Sequence, residues 1–401
     1  MSMSVKDQIE TLLSDQLLSE LTGIRRRLHQ HPELSFEEHQ TSAYIRKILD
    51  DWGIDYSFPF VKTGILARIR GDKPGKRIAL RADMDALPVT EETGLEYTSQ
   101  NPGIMHACGH DIHMTSLLGA IRILDQLKHL IEGEVLFVFQ PGEEKIPGGA
   151  RLMLEEGVFK EYPPDLIIAQ HVLPDMESGR VGFKAGKYMA SSDEIYITMR
   201  GKGGHGALPR HINDPVLMAA HVLITLQQEI NRKSPSNIPT VLSFGKVVAN
   251  GAVNVIPNQV ELEGTFRTMN EPWRKEAHQL IEQVTSGIAS SMGGNCEVEI
   301  RKGYPVLHNH EKITLESKSK AVELLGPDQV EDLEIRMTAE DFAWFAQSIP
   351  ALMYRLGIKE KGSDRVFPLH TSGFRVDESA LKTGISLLSY LSIELLKSTP
   401  V

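Results

Sequence analysis

Cysteine is nearly absent: the 401-residue chain holds two, Cys108 and Cys296. Two thiols this far apart cannot staple a small fold, which excludes a disulfide framework and points to a reducing compartment. Long apolar runs are missing as well. No stretch approaches the roughly 18 uninterrupted apolar residues of a spanning helix. The acidic, amphipathic start MSMSVKDQIETLLSDQLLSE also lacks the basic-then-apolar pattern of a secretory signal. Nor is there an excess of positive charge, since 43 Lys and Arg stand against 53 Asp and Glu, a formal net charge of −10. That balance excludes no small-molecule chemistry, but it argues against a nucleic-acid partner and against docking on an anionic membrane. Internal repeats and low-complexity tracts do not occur. With 41% hydrophobic and 24% charged residues the chain can build packed cores. A guide of about 150 residues per domain predicts two or three domains in a cytoplasmic protein.

Periodicity organises what is there. Residues 7–29 place Ile9, Leu12, Leu13, Leu17, Leu18, Leu21, Ile24 and Leu28 at helical spacing, and 36–52 repeats the pattern. Short branched runs follow at 64–69, 77–81, 134–139 and 165–169, with a helical stripe over 111–131 that Asp111 is placed to cap. Continuous apolar strands alternating with helices predict a mostly parallel central sheet covered by helices on both faces. Near residue 190 the pattern changes. A half-exposed strand at 192–200, a helix at 214–230, strands at 239–248 and 255–268, a helix at 272–291 and a strand at 295–302 read β-α-β-β-α-β. That is a ferredoxin-like α+β unit. Strand 351–357 and a closing helix 377–397 return to the first pattern. The expected organisation is an α/β catalytic domain in two parts, 1–188 and 303–401, interrupted by an α+β lid at 189–302.

Chemistry concentrates in a few segments. Met105-His106-Ala107-Cys108-Gly109-His110-Asp111-Ile112-His113 gathers imidazoles, a thiolate and a carboxylate just before a helix. These are natural ligands of borderline-soft divalent ions, and also residues that cap and pack. Gln140-Pro141-Gly142-Glu143-Glu144 follows a buried strand. Adjacent carboxylates repel, so a pair at the carboxyl end of a parallel strand suits a ligand site better than a structural one. Gln170-His171, Asp83-Met84-Asp85 and Pro368-Leu369-His370 stand at further strand ends. Each His alone reads as an ordinary satisfied polar residue; together the segments read as a metal site assembled from distant parts of the chain. In the inserted region, Gly201-Lys202-Gly203-Gly204-His205-Gly206-Ala207-Leu208-Pro209 lacks the strand-to-helix context of a nucleotide loop and presents one imidazole. Asn254 and Arg267 end neighbouring strands, and an Arg suits a substrate carboxylate or an ordinary surface ion pair equally.

These segments carry a resemblance. ALRADMDALP, MHACGHDIHM, FQPGEE, QHVLP, GKGGHGALP, NVIPN, GTFRTMN, TAEDFAWF and PLHTSGF resemble, in order along nearly the whole chain, the amidohydrolase branch of the acetylornithine deacetylase/carboxypeptidase superfamily. That branch includes hippurate hydrolases, N-acyl-amino-acid deacylases and auxin-conjugate hydrolases. The resemblance implies a zinc-exopeptidase-like catalytic domain with an inserted lid that carries a homodimer contact. It implies two divalent ions per subunit, zinc or manganese first and nickel or cobalt next, on Cys108, His110, Glu144, His171 and His370. Glu143 falls on the general base, His205 on a lid histidine that assists the substrate carbonyl, and Asn254 and Arg267 on substrate-contacting positions. This chain has Asp83 and Asp85 where the wider superfamily has a histidine and an aspartate, so Asp83 stays outside the ligand set and Asp85 is expected to orient a ligand. The implied activity is hydrolysis of N-acyl amino acids of the N-acetyl or N-benzoyl type. The alternatives are a dipeptidase or carboxypeptidase of the same superfamily, or a non-catalytic metabolite-binding relative.

Overall fold

The structure is a computed structural model and describes residues 3–397. The chain divides into two compact units. The larger runs to Tyr188 and resumes over His308–Glu334 and from Asp341 onward; the smaller comprises Met189–Leu307 and Ile335–Glu340. The smaller unit thus extends past residue 302 and takes back a short piece of the later chain. In chain order the strands of the two main sheets are β1 (Asp55–Phe60), β2 (Gly64–Arg70), β3 (Lys73–Asp83), β4 (Glu132–Gln140), β5 (Leu166–Glu177), β6 (Val181–Phe183), β7 (Asp193–Arg200), β8 (Thr240–Val248), β9 (Gln259–Thr268), β10 (Asn295–Lys302), β11 (Val330–Asp332) and β12 (Ala351–Lys359).

The larger unit is built on a sheet of order β1-β2-β4-β3-β5-β12-β6-β11. Its centre, β4, β3, β5 and β12, is parallel. Antiparallel pairs flank it, β2 on β4 and β6 on β12. Phe137, Leu80, Ile168 and Leu352 are fully buried there, the continuous apolar runs a doubly covered sheet requires. On one face the helices His110–Gln126 and Ala380–Lys397 bring Leu117, Ile121, Ile385 and Leu388 into the same core as Ile78, Leu80 and Phe137. Each such side chain contributes about 1.5–3 kcal/mol by burial. The mostly parallel α/β sheet predicted from the alternation is the one observed.

Three local expectations change. The helix expected over 7–29 is two, Val5–Leu12 and Asp15–Gln30, because the Ser14 hydroxyl accepts the Leu17 amide and starts a new helix. Asp111 does not cap the helix His110–Gln126. Gly109 holds the cap position at φ 81, and the Asp111 side chain turns inward. A side chain at Gly109 would place its Cβ 2.7 Å from Val172 Cγ2, so the turn between Cys108 and His110 needs glycine. The strand expected over 165–169 continues to Glu177, which puts His171 inside β5. The β3 ladder leaves β5 at the pair Arg81 and Ala169, so His171 lies just beyond it at the sheet's carboxyl edge.

The smaller unit is an antiparallel sheet of order β8-β9-β7-β10. Helices Pro215–Lys233 and Glu271–Ser291 supply Met218, Val222, Leu226, Trp273 and Ile281 to its core, against Ile195, Ile197, Val260 and Leu262. Asp214 caps the first helix through the Val216 and Leu217 amides, and Asn270 the second through Trp273. This is the ferredoxin-like order. The strand expected over 255–268 is interrupted at Pro257: Val255–Ile256 pairs with Gly204–His205, and β9 begins at Gln259.

Candidate functional site

At the carboxyl edge of the large sheet, four segments bring ligand-type atoms together. His171 Nε2 lies 3.6 Å from Cys108 Sγ. His370 Nε2 lies 3.4 Å from the same sulfur and 3.3 Å from Glu144 Oε1. His110 Nε2 faces Glu144 Oε1 at 4.0 Å. Donor atoms of Cys108, His110 and His171 lie within 4.8 Å of one another, as do those of Cys108, Glu144 and His370, and those of His110, Glu143 and Glu144. Sequence reasoning placed all six of these residues at the site, and the structure brings them together.

Their orientation is set from behind. His110 Nδ1 donates to the Asp85 carbonyl at 2.8 Å and His171 Nδ1 to the Val172 carbonyl at 2.9 Å, which leaves both Nε2 lone pairs turned into the cluster. His370 adopts φ 61 and is tied by its amide to the Ala107 carbonyl at 2.8 Å. Asp85 Oδ2 accepts the Glu144 amide at 2.9 Å. Asp83, which closes β3, bonds Arg81 at 2.7 Å and His113 Nδ1 at 2.6 Å, and its Oδ2 lies 3.5 Å from His110 Nε2, at the border of the cluster. His113 Nε2 accepts the Val172 amide at 3.0 Å, so neither of its ring nitrogens is free for a ligand role. His106 is buried away from the cluster, and burial foremost pulls its pKa down to about 4.

The electrostatics favour cations. Burial lowers the pKa of His110, but the charges of Asp83, Asp85 and Glu144 outweigh it and raise the value to about 10. Burial pushes the Cys108 thiol well up, and Glu144 and Glu143 push the same way. His171 is held neutral, by burial first and then by Arg355. A carboxylate-rich cluster of this kind accepts a positive charge readily. Buried His110 Nε2 and Glu144 Oε1 have no hydrogen-bond partner among the described residues, a cost that metal coordination relieves. Thiolate, imidazole and carboxylate together suit borderline divalent ions. The residues present fit two such ions.

The candidates in the smaller unit fall at its two ends. His205 is exposed, and its Nδ1 accepts the Ala207 amide at 3.1 Å. Asn254 stands beside it, its carbonyl accepting the Gly206 amide at 2.9 Å. Arg267 is near the far end of β9, where it donates to the Met337 carbonyl at 3.3 Å. The strand from Gln259 to Arg267 spans roughly 26 Å at about 3.3 Å per residue. One lid therefore does not bring Arg267 together with His205 and Asn254.

Sequence reading missed two sets of buried or half-buried polar residues. Arg25 and His29 lie one helical turn apart within the apolar stripe of Leu21, Ile24 and Leu28, and both reach Asp111. Polar residues aligned with an apolar stripe were the available signal. Ser35 and Glu38, before the helix His39–Trp52, reach Asp85 and Gly142 and had no signal in periodicity.

A family model described as peptidase family M20/M25/M40 matches residues 79–394. The chain belongs to this family. Among its relatives, the N-acyl-L-amino acid amidohydrolase of Geobacillus stearothermophilus is 40% identical over 308 residues, 77% of this chain and 82% of that protein. Thermostable carboxypeptidase 2 of Saccharolobus solfataricus is 35% identical over 394 residues, 97% of this chain and 99% of that protein. Among solved structures, a dinuclear metal-binding M20 peptidase of Bacillus subtilis matches with a TM-score of 0.82 at 34% identity, covering 96% of this chain and 100% of that one. This M20 chain is an enzyme, a metal-dependent hydrolase acting on amides. None of its described helices is long and apolar enough to cross a membrane.

Proposed function

We propose that this M20 hydrolase splits N-acyl amino acids, of the N-acetyl or N-benzoyl type, into a carboxylic acid and a free amino acid. The observation that carries the reading is the convergence of Cys108, His110, Glu144, His171 and His370 around His110 Nε2 and Glu144 Oε1, which have no hydrogen-bond partner among the described residues, with buried Glu143 alongside. In this reading those five residues hold two divalent ions, zinc or manganese first, nickel or cobalt next. When bound, the ions polarise the scissile carbonyl and ease deprotonation of water. Glu143, one residue from a ligand and not needed as one, takes the water's proton at its carboxylate and delivers it to the leaving nitrogen. His205 donates to the oxygen on which charge develops. Arg267 and Asn254 recognise the amino-acid carboxylate, Arg267 by paired hydrogen bonds.

The separation of Arg267 from His205 and Asn254 supports a homodimer in which each lid serves two sites with its two ends. Leu217 and Ile224 on helix Pro215–Lys233 and Val247 on the edge strand β8 are 51%, 60% and 53% exposed, apolar surface that a second copy would cover. The free thiol at the centre suits a reducing, cytoplasmic setting.

The test is Glu143→Ala on a panel of N-acyl amino acids. Turnover should fall by about 10²–10⁴ while the metal stays bound. Activity within tenfold of the parent removes Glu143 from the chemistry. The carboxypeptidase relative makes unblocked dipeptides the competing substrates, and their preferential cleavage would replace the acyl-amino-acid reading. Sedimentation of an Ile224→Glu variant tests the dimer, which should dissociate.

A further inference from the structure

The loop that carries Glu143 and Glu144 leaves β4 at Gln140 and is not held by the sheet. Part of what holds it comes from the first 78 residues, which lie outside the segment matched by the family model. Glu38 is fully buried. Its Oε1 accepts two amides, Gly142 at 2.8 Å and Phe36 at 2.9 Å. Its Oε2 is 2.9 Å from the Thr63 hydroxyl, at the end of the turn between β1 and β2. A buried carboxylate satisfied on both oxygens is an expensive residue to keep for packing alone. Gly142 adopts φ 62, and any Cβ there would collide with the Phe36 ring, which fills that space. Phe36 itself is held at φ 69, a conformation uncommon for a bulky residue. Two positions later along the loop, the Glu144 amide is fixed by Asp85 Oδ2, and Ser35 donates to the same oxygen at 2.7 Å. Phe36 and Glu38 therefore meet the loop directly at Gly142, and Ser35 supports it at Glu144 through Asp85, on the two sides of Glu143.

We infer that the Ser35–Glu38 segment is a brace that sets where the Glu143 and Glu144 carboxylates point, and that Glu38 is a positioning residue for the hydrolytic reaction. The catalytic half of the inference rests on the roles proposed above for those two glutamates. Glu38 acts through the Gly142 amide and touches no reacting atom. Gln at this position keeps one oxygen for the two amides and offers an N–H to Thr63. It preserves the brace without the charge. Burial, followed by the charge of Asp85, raises the Glu38 pKa to about 7, so the uncharged form is readily reached in the native protein.

The experiment measures amide hydrogen exchange over residues 139–146, together with kcat, KM and bound metal, in Glu38→Ala, Glu38→Gln and Ser35→Ala. In Glu38→Ala, exchange at Gly142 and Glu144 should quicken about tenfold for the lost buried hydrogen bonds. Its kcat per bound metal should drop about 10²-fold for a displaced catalytic group, with KM close to the parent and metal content lowered by the displaced Glu144. Glu38→Gln should restore both exchange and kcat to within about threefold, on the same argument. Ser35→Ala, at a half-buried site that tolerates truncation, should quicken exchange at Glu144 and serves if Glu38→Ala does not fold. Parental exchange at both amides in Glu38→Ala, or at Glu144 in Ser35→Ala, overturns the brace. Faster exchange with unchanged kcat supports the brace and overturns the positioning role, while the Glu143→Ala variant decides separately whether Glu143 is the base.

Discussion

Replacing Asp111 with Asn probes how the metal-ligand segment is anchored. Asp111 is fully buried and follows His110 at the start of the helix His110–Gln126. Arg25 Nε lies 3.0 Å from its Oδ2 and His29 Nδ1 lies 2.7 Å from the same oxygen. Arg25 is 1% exposed, and its other acidic partner is Glu378, 3.3 Å from Nη1. Removing the Asp111 charge strands a buried guanidinium, which typically costs 3–5 kcal/mol. Glu378 retains part of the compensation, so about 3 kcal/mol is expected, the low end of that range. A unit of this size unfolds with an entropy of roughly 0.6 kcal/mol per kelvin, so the melting temperature should fall by about 5 °C. Calorimetry on metal-stripped protein isolates the effect from any change in metal affinity. Arg25→Met should be similarly destabilising, and the Arg25→Met/Asp111→Asn double variant should recover at least about 2 kcal/mol of the summed loss. A melting temperature within about 1 °C of the parent in Asp111→Asn, or strict additivity in the double variant, would refute the argument.

In the lid, burial raises the Asp193 pKa, but hydrogen bonds from His278 and Arg274 outweigh it and hold the value below the ordinary range. The unfolded carboxyl titrates near about 3.9, so this contribution is complete above that pH and is lost as the pH falls through the lower folded value. Asp193→Asn should lower lid stability at pH 7 and flatten its acid dependence below about pH 4, read by urea unfolding across pH; an unchanged acid limb would contradict the pairing. Arg267→Ala should raise KM for N-acyl amino acids about 10–100-fold with a smaller change in kcat, as loss of a charged hydrogen-bond pair to substrate does. A KM unaltered within twofold would take Arg267 out of carboxylate recognition.

Much of the fold was legible because its signals are local. The switch from continuous apolar strands such as Val135–Phe139 to the alternation of Asp193–Arg200 marks the change from a doubly covered sheet to one with an exposed face. The ligand-bearing segments were legible because Cys, His and paired Glu at strand ends have few structural uses. Asp111 was misjudged as a cap because its true partner, Arg25, is remote in sequence. The braces from Ser35 and Glu38 were invisible for the same reason: a carboxylate that accepts amides from two segments leaves no periodic trace. The distance between Arg267 and His205 also needed the strand pairings, His205 against Val255 before β9 and Arg267 against Val241 near its end.

The proposed hydrolysis depends on two divalent ions held by Cys108, His110, Glu144, His171 and His370. The most direct test is the metal content per chain of the reconstituted enzyme and of His171→Ala and His370→Ala, measured alongside N-acyl amino acid hydrolysis before and after chelation. The parent should hold two equivalents, each variant should lose metal, and activity should vanish with chelator and return with a divalent ion. A parent that is fully active with no bound ion, or variants that keep both ions, would contradict the proposal.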